Sequence, residues 1–260
     1  MYRLSRIIIH VVSGMFQVLF HFRHSSSRPG NTELAQLDDR QQARACRWNL
    51  KFIQLLNIEQ DIYGQPEEGN LLMVANHISW KDILVLNSLY HTRFVAKSEI
   101  EKWPLVGWIS RKMGTLFINR SSIADVRQLT TRIADRLSRG EKVTLFPEGT
   151  TTDGSHIKAF YPGLFQAAIN AEANIQPVVI VYKVDDKHSP HIPYFGEISM
   201  LENLWTVIGY DHIVAEIHFT PLISAQDRSR KELSEIAFQQ MIEVLNQRLE
   251  ISRQPPNKSS

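Results

Sequence analysis

The sequence predicts an α/β fold, a largely parallel or mixed sheet covered by helices, preceded by an N-terminal two-helix element. Two observations carry this. From about Ile58, short apolar runs bounded by turn residues alternate with stretches of helical periodicity, the pattern of a sheet buried on both faces. Ahead of Ile58 the periodicity is helical and is interrupted once, at SSSRPGN (Ser25 to Asn31), where Pro29 and Gly30 punctuate the chain. At 260 residues and 43 % hydrophobic content, the chain is long enough for one substantial core with an appendage.

The first element is an uncharged apolar run of 16 residues, Ile7 to Phe22, entered after two arginines. No small-residue cleavage site follows it, as a secretory signal would require. No apolar span reaches 20 residues, which argues against an ordinary transmembrane helix. Arg3, Arg6, His10, Ser13, Gln17, His21 and His24 recur at three- and four-residue steps. They form one polar stripe on an otherwise apolar helix. Such a helix lies in a membrane interface or packs its stripe on another helix; the interface is the favoured reading.

A second helix is expected from about Thr32 to Leu56. Its apolar stripe is Leu34, Leu37, Ala45, Trp48, Phe52 and Leu55, flanked by a basic line of Arg40, Arg44, Arg47 and Lys51. The basic line suits anionic headgroups and serves equally as a solvated flank. Residues 1–57 therefore read as a membrane-interface element, 58–252 as the α/β domain, and 253–260 as a disordered tail.

Within the domain the expected strands are Leu71 to Ala75, Arg93 to Lys97, Thr115 to Asn119, Lys142 to Phe146 and Gln176 to Lys183. Helices are expected at Lys81 to Tyr90, Ser122 to Ser138 and Leu164 to Glu172. Past Lys183 the pattern weakens to a strand at Val214 to Phe219 and a C-terminal helix, opened by Ser224 or Asp227, that runs to about Ile251. Net charge of +2 leaves no nucleic-acid footprint. The first 30 residues hold four arginines and no acid, so the remainder is near −2. Cys46 is the sole cysteine, which excludes an internal disulfide framework and fits a reducing compartment.

Chemistry concentrates at the predicted strand ends, where open α/β sheets hold ligands. In NHISWKD (Asn76 to Asp82), His77 sits in a strand-to-helix turn and Asp82 in the first helical turn. A carboxylate is favoured there and reaches back to one imidazole nitrogen, leaving the other to take a proton. Taken alone, the spacing also describes an ordinary surface pair. GTLFINR ends in Arg120, placed to clamp a phosphate beside the helix opened by Ser122. LFPEGTTTDG carries Glu148 at a loop tip, Gly149 for a tight turn and Thr150 beside them. Glu148 would accept from a substrate hydroxyl or hold Arg120. Lys97, before WPLVGW (Trp103 to Trp108), is a candidate second cation, and these tryptophans border an acyl groove or fill core. The sequence contains no Gly-x-Ser-x-Gly nucleophile elbow and no zinc, P-loop or dinucleotide fingerprint, so no metal or cofactor is expected.

NHISWKD, GTLFINR, FPEGT and IQPVVI (Ile175 to Ile180) occur in an order and spacing that resembles the four blocks of the glycerolipid acyltransferase superfamily. The resemblance is to its 1-acylglycerol-3-phosphate acyltransferase (PlsC-like) branch, and it covers roughly Leu71 to Lys183. It implies an acyltransferase on a membrane, cytoplasmic-facing, with His77 and Asp82 as the catalytic pair. Arg120, Glu148 and Gly149 then look like the acceptor's phosphate and glycerol site, and the segment around Pro177 serves the fold and the acyl-donor side. Acyl-CoA or acyl-carrier protein is the implied donor. The implied reaction is acylation of 1-acylglycerol-3-phosphate to phosphatidic acid. Many members carry a basic residue after FPEGT, where this chain has Thr151 and Thr152, and Tyr161 replaces a further lysine. FPEGTT followed by Asp-Gly is similar to relatives that acylate lyso-ornithine lipid, the alternative acceptor. A non-catalytic lipid-binding protein would have no use for the intact pair.

Overall fold

A computed structural model describes residues 2–21, 38–119 and 122–253. The break at Ser25 to Asn31, the start of the second predicted helix, Arg120, Ser121 and the tail lie outside the described residues. The elements are α1 (Tyr2–His21), α2 (Asp39–Leu55), β1 (Ile58–Tyr63), β2 (Leu71–Ala75), α3 (Lys81–Leu89), β3 (Arg93–Lys97), α4 (Ser98–Glu101) and α5 (Val106–Lys112). They continue with β4 (Leu116–Ile118), α6 (Ile123–Ser138), β5 (Val143–Leu145), α7 (Gln166–Asn170), β6 (Asn174–Val184), β7 (Lys187–His188), α8 (Met200–Ile208), β8 (Ile213–Phe219) and α9 (Arg230–Arg253).

The sheet is mixed, in the order β1-β8-β6-β2-β5-β3-β4, with β7 beside β6. The five strands from β6 to β4 run parallel, while β8 is antiparallel to β6 and parallel to β1. β2 explains why its sequence is apolar without alternation. Leu72 and Val74 enter the core formed with α6, α7 and α9, whereas Leu71, Met73 and Ala75 enter the core on the other face, which takes in Ile53 and Leu56 around α2, Val85 of α3 and Val207 of α8. Successive residues face opposite sides, and both sides are covered. The parallel arrangement brings the carboxyl ends of β2, β5, β3 and β4 to one edge.

Two elements escape the apolar pattern. β1 (IEQDIY) is an edge strand that is exposed beyond Ile58 except at the half-buried Gln60, and its charges are typical of an unpaired edge. α8 is closed by a capping box between Ser199 and Glu202, with hydrogen bonds of 3.2 and 2.8 Å, a signal present as Ser-x-x-Glu. The stretch after Lys97 forms two short helices, α4 and α5.

The N-terminal element differs from expectation in one respect. Only α1 is long and apolar enough to cross a membrane, over Tyr2–Phe20, among the described residues. The span is longer than the uncharged run because the helix begins before Arg3. α2 instead inserts Ile53 and Leu55 into the domain core. Of the two alternatives for the polar stripe of α1, the structure shows packing on another helix. Its inward side packs: His10 donates to the Trp48 carbonyl at 3.0 Å and stacks on its indole, and Arg3 donates to the carbonyls ending α8, Ile208 and Tyr210. Gly14 permits this approach, since a Cβ there would stand 2.5 Å from the Trp48 ring. The outward side leaves Ile9 67 % and Phe20 64 % exposed. On α8, Leu201 and Trp205, one turn apart, are also exposed.

Candidate active site

The site is built where the chain leaves β2. Asn76 extends the sheet with its side chain, donating to the Ile180 carbonyl at 3.0 Å and accepting from the Ile180 amide at 2.8 Å. The backbone is then free to turn. Every amide and carbonyl of the next three residues has a partner. His77 N–H donates to Glu148 Oε1 at 2.7 Å, and the amides of Ile78 and Ser79 donate to Asp82 Oδ2 at 2.7 and 2.9 Å. The carbonyls of His77, Ile78 and Ser79 accept from the amides of Thr152, Tyr194 and Asp82. A turn with no unsatisfied backbone group is a rigid one. It also leaves none of those three amides to stabilise an oxyanion, which removes them as the donors that a reactive carbonyl would need.

The structure brings His77 and Asp82 together. His77 Nδ1 lies 2.8 Å from Asp82 Oδ2, and the Asp82 side chain is fully buried while that of His77 keeps 20 % of its surface exposed. Oδ1 accepts from the Tyr182 hydroxyl at 3.0 Å. Burial, together with the adjacent Asp82 charge, pushes that hydroxyl well above its ordinary pKa, so it stays a donor. With four donors converging on it, Asp82 is held as an acceptor and fixes the imidazole with Nε2 on the open side. Phe146 stacks on the ring, centroids 4.0 Å apart, and covers one face.

Glu148, at the end of β5 and 3 % exposed, spends each carboxylate oxygen on a backbone amide: Oε1 on His77 and Oε2 on Lys158 at 2.8 Å. It therefore clamps two loops together. Burial raises its pKa to about 7 against the opposing pull of these two amides. Gly149 takes φ 76° at the turn, and Thr150 is exposed at the tip. Lys97 is exposed at the end of β3, in register with Ile118. Its strand is two places from β2, roughly 10 Å sideways at the usual strand spacing. Arg120 would follow β4 but lies outside the described residues. Trp108 packs with Val18 of α1, and Trp103 and Leu105 remain exposed.

Three contributors were not singled out from sequence: Tyr182, Phe146 and Lys81. A tyrosine inside an apolar strand was a usable signal, because a buried hydroxyl must find a partner. Lys81 is wholly buried, donating from Nζ to Ser79 Oγ, the Ile192 carbonyl and Asn203 Oδ1 at 2.6, 2.9 and 3.0 Å. Asn203 also accepts from the Trp80 indole at 3.0 Å, so α8 is bolted to the His77 turn. Burial lowers the Lys81 pKa to about 7, with Asp82 pulling it back up. No group of three His, Cys, Asp or Glu suited to a metal occurs among the described residues.

A family model described as Acyltransferase matches residues 54–181. Lyso-ornithine lipid O-acyltransferase from Pseudomonas aeruginosa is 36 % identical over 197 residues, covering 75 % of this chain and 76 % of that protein. The protein of the same description from Rhizobium meliloti is 32 % identical over 218 residues, covering 78 % and 74 %. A 1-acyl-sn-glycerol-3-phosphate acyltransferase from Neisseria gonorrhoeae is 32 % identical over 163 residues, covering 62 % and 64 %. Among solved structures, the 1-acyl-sn-glycerophosphate acyltransferase PlsC from Thermotoga maritima shares the fold, with a TM-score of 0.62 at 17 % identity over 94 % of this chain and 97 % of that one.

Proposed function

This chain belongs to the PlsC-like acyltransferase family and is an acyltransferase acting in glycerolipid or lysolipid metabolism, and from that premise we propose that it moves a fatty acyl group from an acyl thioester to the free hydroxyl of lyso-ornithine lipid. The observation that carries the reaction is the His77–Asp82 pair at the carboxyl end of β2. His77 Nε2 takes the proton of the acceptor hydroxyl as its oxygen attacks the thioester carbonyl. The imidazolium is stabilised by Asp82, and the C–S bond breaks to release the thiolate. Acyl-CoA or acyl-carrier protein supplies the thioester. Arg120, Lys97, Gly149 and Thr150 flank the acceptor, and Glu148 holds the His77 turn in position.

The four blocks by themselves point to lysophosphatidate; the lyso-ornithine reading displaces it on two grounds. Thr151 stands where a phosphate site has a further cation, and the two lyso-ornithine lipid enzymes align over about three quarters of this chain. Lysophosphatidate remains the second reading, favoured by the Neisseria enzyme. The test is purified protein with each lysolipid and each donor, following thiol release and the acylated product. Faster release with lyso-ornithine lipid is expected. Preference for lysophosphatidate would reverse the acceptor assignment, and release without any acceptor would make the protein a thioester hydrolase.

The outward apolar face of α1, with Leu201 and Trp205 of α8, supports placement on a membrane surface as a peripheral or monotopic protein. Glu148 supplies a separate prediction. Glu148→Gln turns one acceptor towards an amide donor, loosening the His77 turn; kcat should fall about 10²-fold with KM little changed. Because the Glu148 carboxylate is held at about 7, the clamp has both acceptors only above that pH. Activity of the wild type should rise across pH 7, and that inflection should be missing from the variant's kcat profile.

A further inference from the structure

His10, Ser13 and Gln17 of α1 face α2 across a cleft of about 480 Å³, lined on the other side by Arg44, Arg47 and Lys51. The three cations succeed one another at three- and four-residue steps, so they share a face. No ion pair joins any of them to a carboxylate among the described residues. Trp48 closes the cleft beside His10. This is not the His77 site. From Trp48 the aromatic row runs through Phe52 to Trp80 in the catalytic turn, with ring centroids 5.3 and then 6.4 Å apart.

Cations in file with no carboxylate paired to them among the described residues, opposite neutral hydrogen-bonding groups, suit an anion with several acceptor oxygens, and phosphate has that chemistry. Position selects its source. One wall of the cleft is the helix whose far side exposes Ile8, Val12 and Leu19, so a phosphate held here lies at headgroup depth, with the apolar face available to acyl chains. We propose that the cleft between α1 and α2 binds the phosphate of an anionic phospholipid headgroup and so fixes how the catalytic turn meets the membrane. The inference rests on the membrane placement proposed above, and the two are separable by the vesicle used.

The experiment is co-sedimentation of the full chain with phosphatidylcholine vesicles and with vesicles containing phosphatidylglycerol. Neutral vesicles report the apolar face; the ratio between the two reports the cleft. Wild type should favour the anionic vesicles by about tenfold or more. Arg44→Glu/Arg47→Glu/Lys51→Glu should lose that preference. So should Ser13→Leu/Gln17→Leu, which fills the cleft without altering charge. Loss in the charge variant alone would mean a diffuse basic band and would overturn the cleft as a site, as would a wild type with no preference. A thermal shift in inorganic phosphate over chloride at equal ionic strength, abolished in both variants without vesicles, would reassign the site to a soluble phosphate. Binding of a purified acyl-carrier protein that fails only in the charge variant would reassign the basic line to an acidic protein.

Discussion

His77→Ala is expected to lower acyl transfer by roughly 10²–10⁴-fold, the usual contribution of a general base, with the fold preserved. The reason lies in how the turn is held. The amide of His77 donates to Glu148 and its carbonyl accepts from Thr152, and both contacts survive the loss of the ring. Asp82 keeps three of its four donors, Ile78, Ser79 and Tyr182. The variant should therefore melt near the wild-type temperature while thiol release dependent on the lysolipid falls by that factor. Asp82→Asn should behave differently. All four groups around the carboxylate are donors, so an amide NH₂ in their midst leaves at least one contact repulsive, and both activity and stability should drop. A fully active His77→Ala protein would dispose of the base assignment, and a destabilised one would show that the ring supports the fold.

Glu216→Ala is expected to be the most destabilising single change outside the active site. Glu216 on β8 is 4 % exposed and receives Lys183 at 2.7 Å, both nitrogens of the Arg248 fork at 3.0 Å, and His218 at 3.4 Å. Burial alone would raise its pKa, but the hydrogen bonds from His218, Arg248 and Lys183 outweigh it and hold the carboxyl well below its ordinary value of 4.5. Removing it strands Lys183, itself buried, without a counter-charge. Breaking such a pair costs about 3–5 kcal/mol, a fall in Tm on the order of 10 °C for a chain of this size. The sign of the pH effect follows from the depressed pKa. Glu216's contribution is present above the unfolded value near 4.5 and is lost as pH falls through and below it. Wild type and variant should converge in stability at low pH when unfolding is followed by chemical denaturation. A constant gap between them at all pH values would mean that packing, and not the ion cluster, is at stake.

Legibility from sequence tracked the range of the interactions involved. β2 and β3 begin and end where the apolar pattern predicts, and α3 stops one residue short, because strand alternation, apolar runs and helix entry are set within a few neighbours. The His77–Asp82 contact was readable for the same reason: five residues separate the pair across one turn. Glu148 was visible as a polar residue at a strand end, but its partners were not. It was expected to meet a substrate hydroxyl or Arg120; the partners that the structure shows are the amides of His77 and Lys158, on two separate loops. β1 was illegible because an edge strand buries little and so shows little pattern. α8 had its capping box in plain view, without a strong apolar repeat to draw attention to it.

The sequence by itself determined an α/β sheet, most of its strands, the imidazole–carboxylate pair and its place after a buried strand. It also determined that the N-terminal helix has a polar stripe and an apolar remainder. Only the tertiary structure decided which of its residues meet the protein, because a helix's periodicity describes faces without saying which one a neighbour covers; His10 and Arg3 of the polar stripe meet Trp48 and the carbonyls after α8, and Ile7 and Val18 of the apolar remainder are buried beside them. Likewise, the hydroxyl that completes the bonds to Asp82 comes from Tyr182, 100 residues along the chain. That meeting is fixed by the pairing of β6 with β2, in which Ala75 lies opposite Val178. Spacing along a chain specifies contacts within a turn, whereas partners across a sheet are chosen by strand order and register.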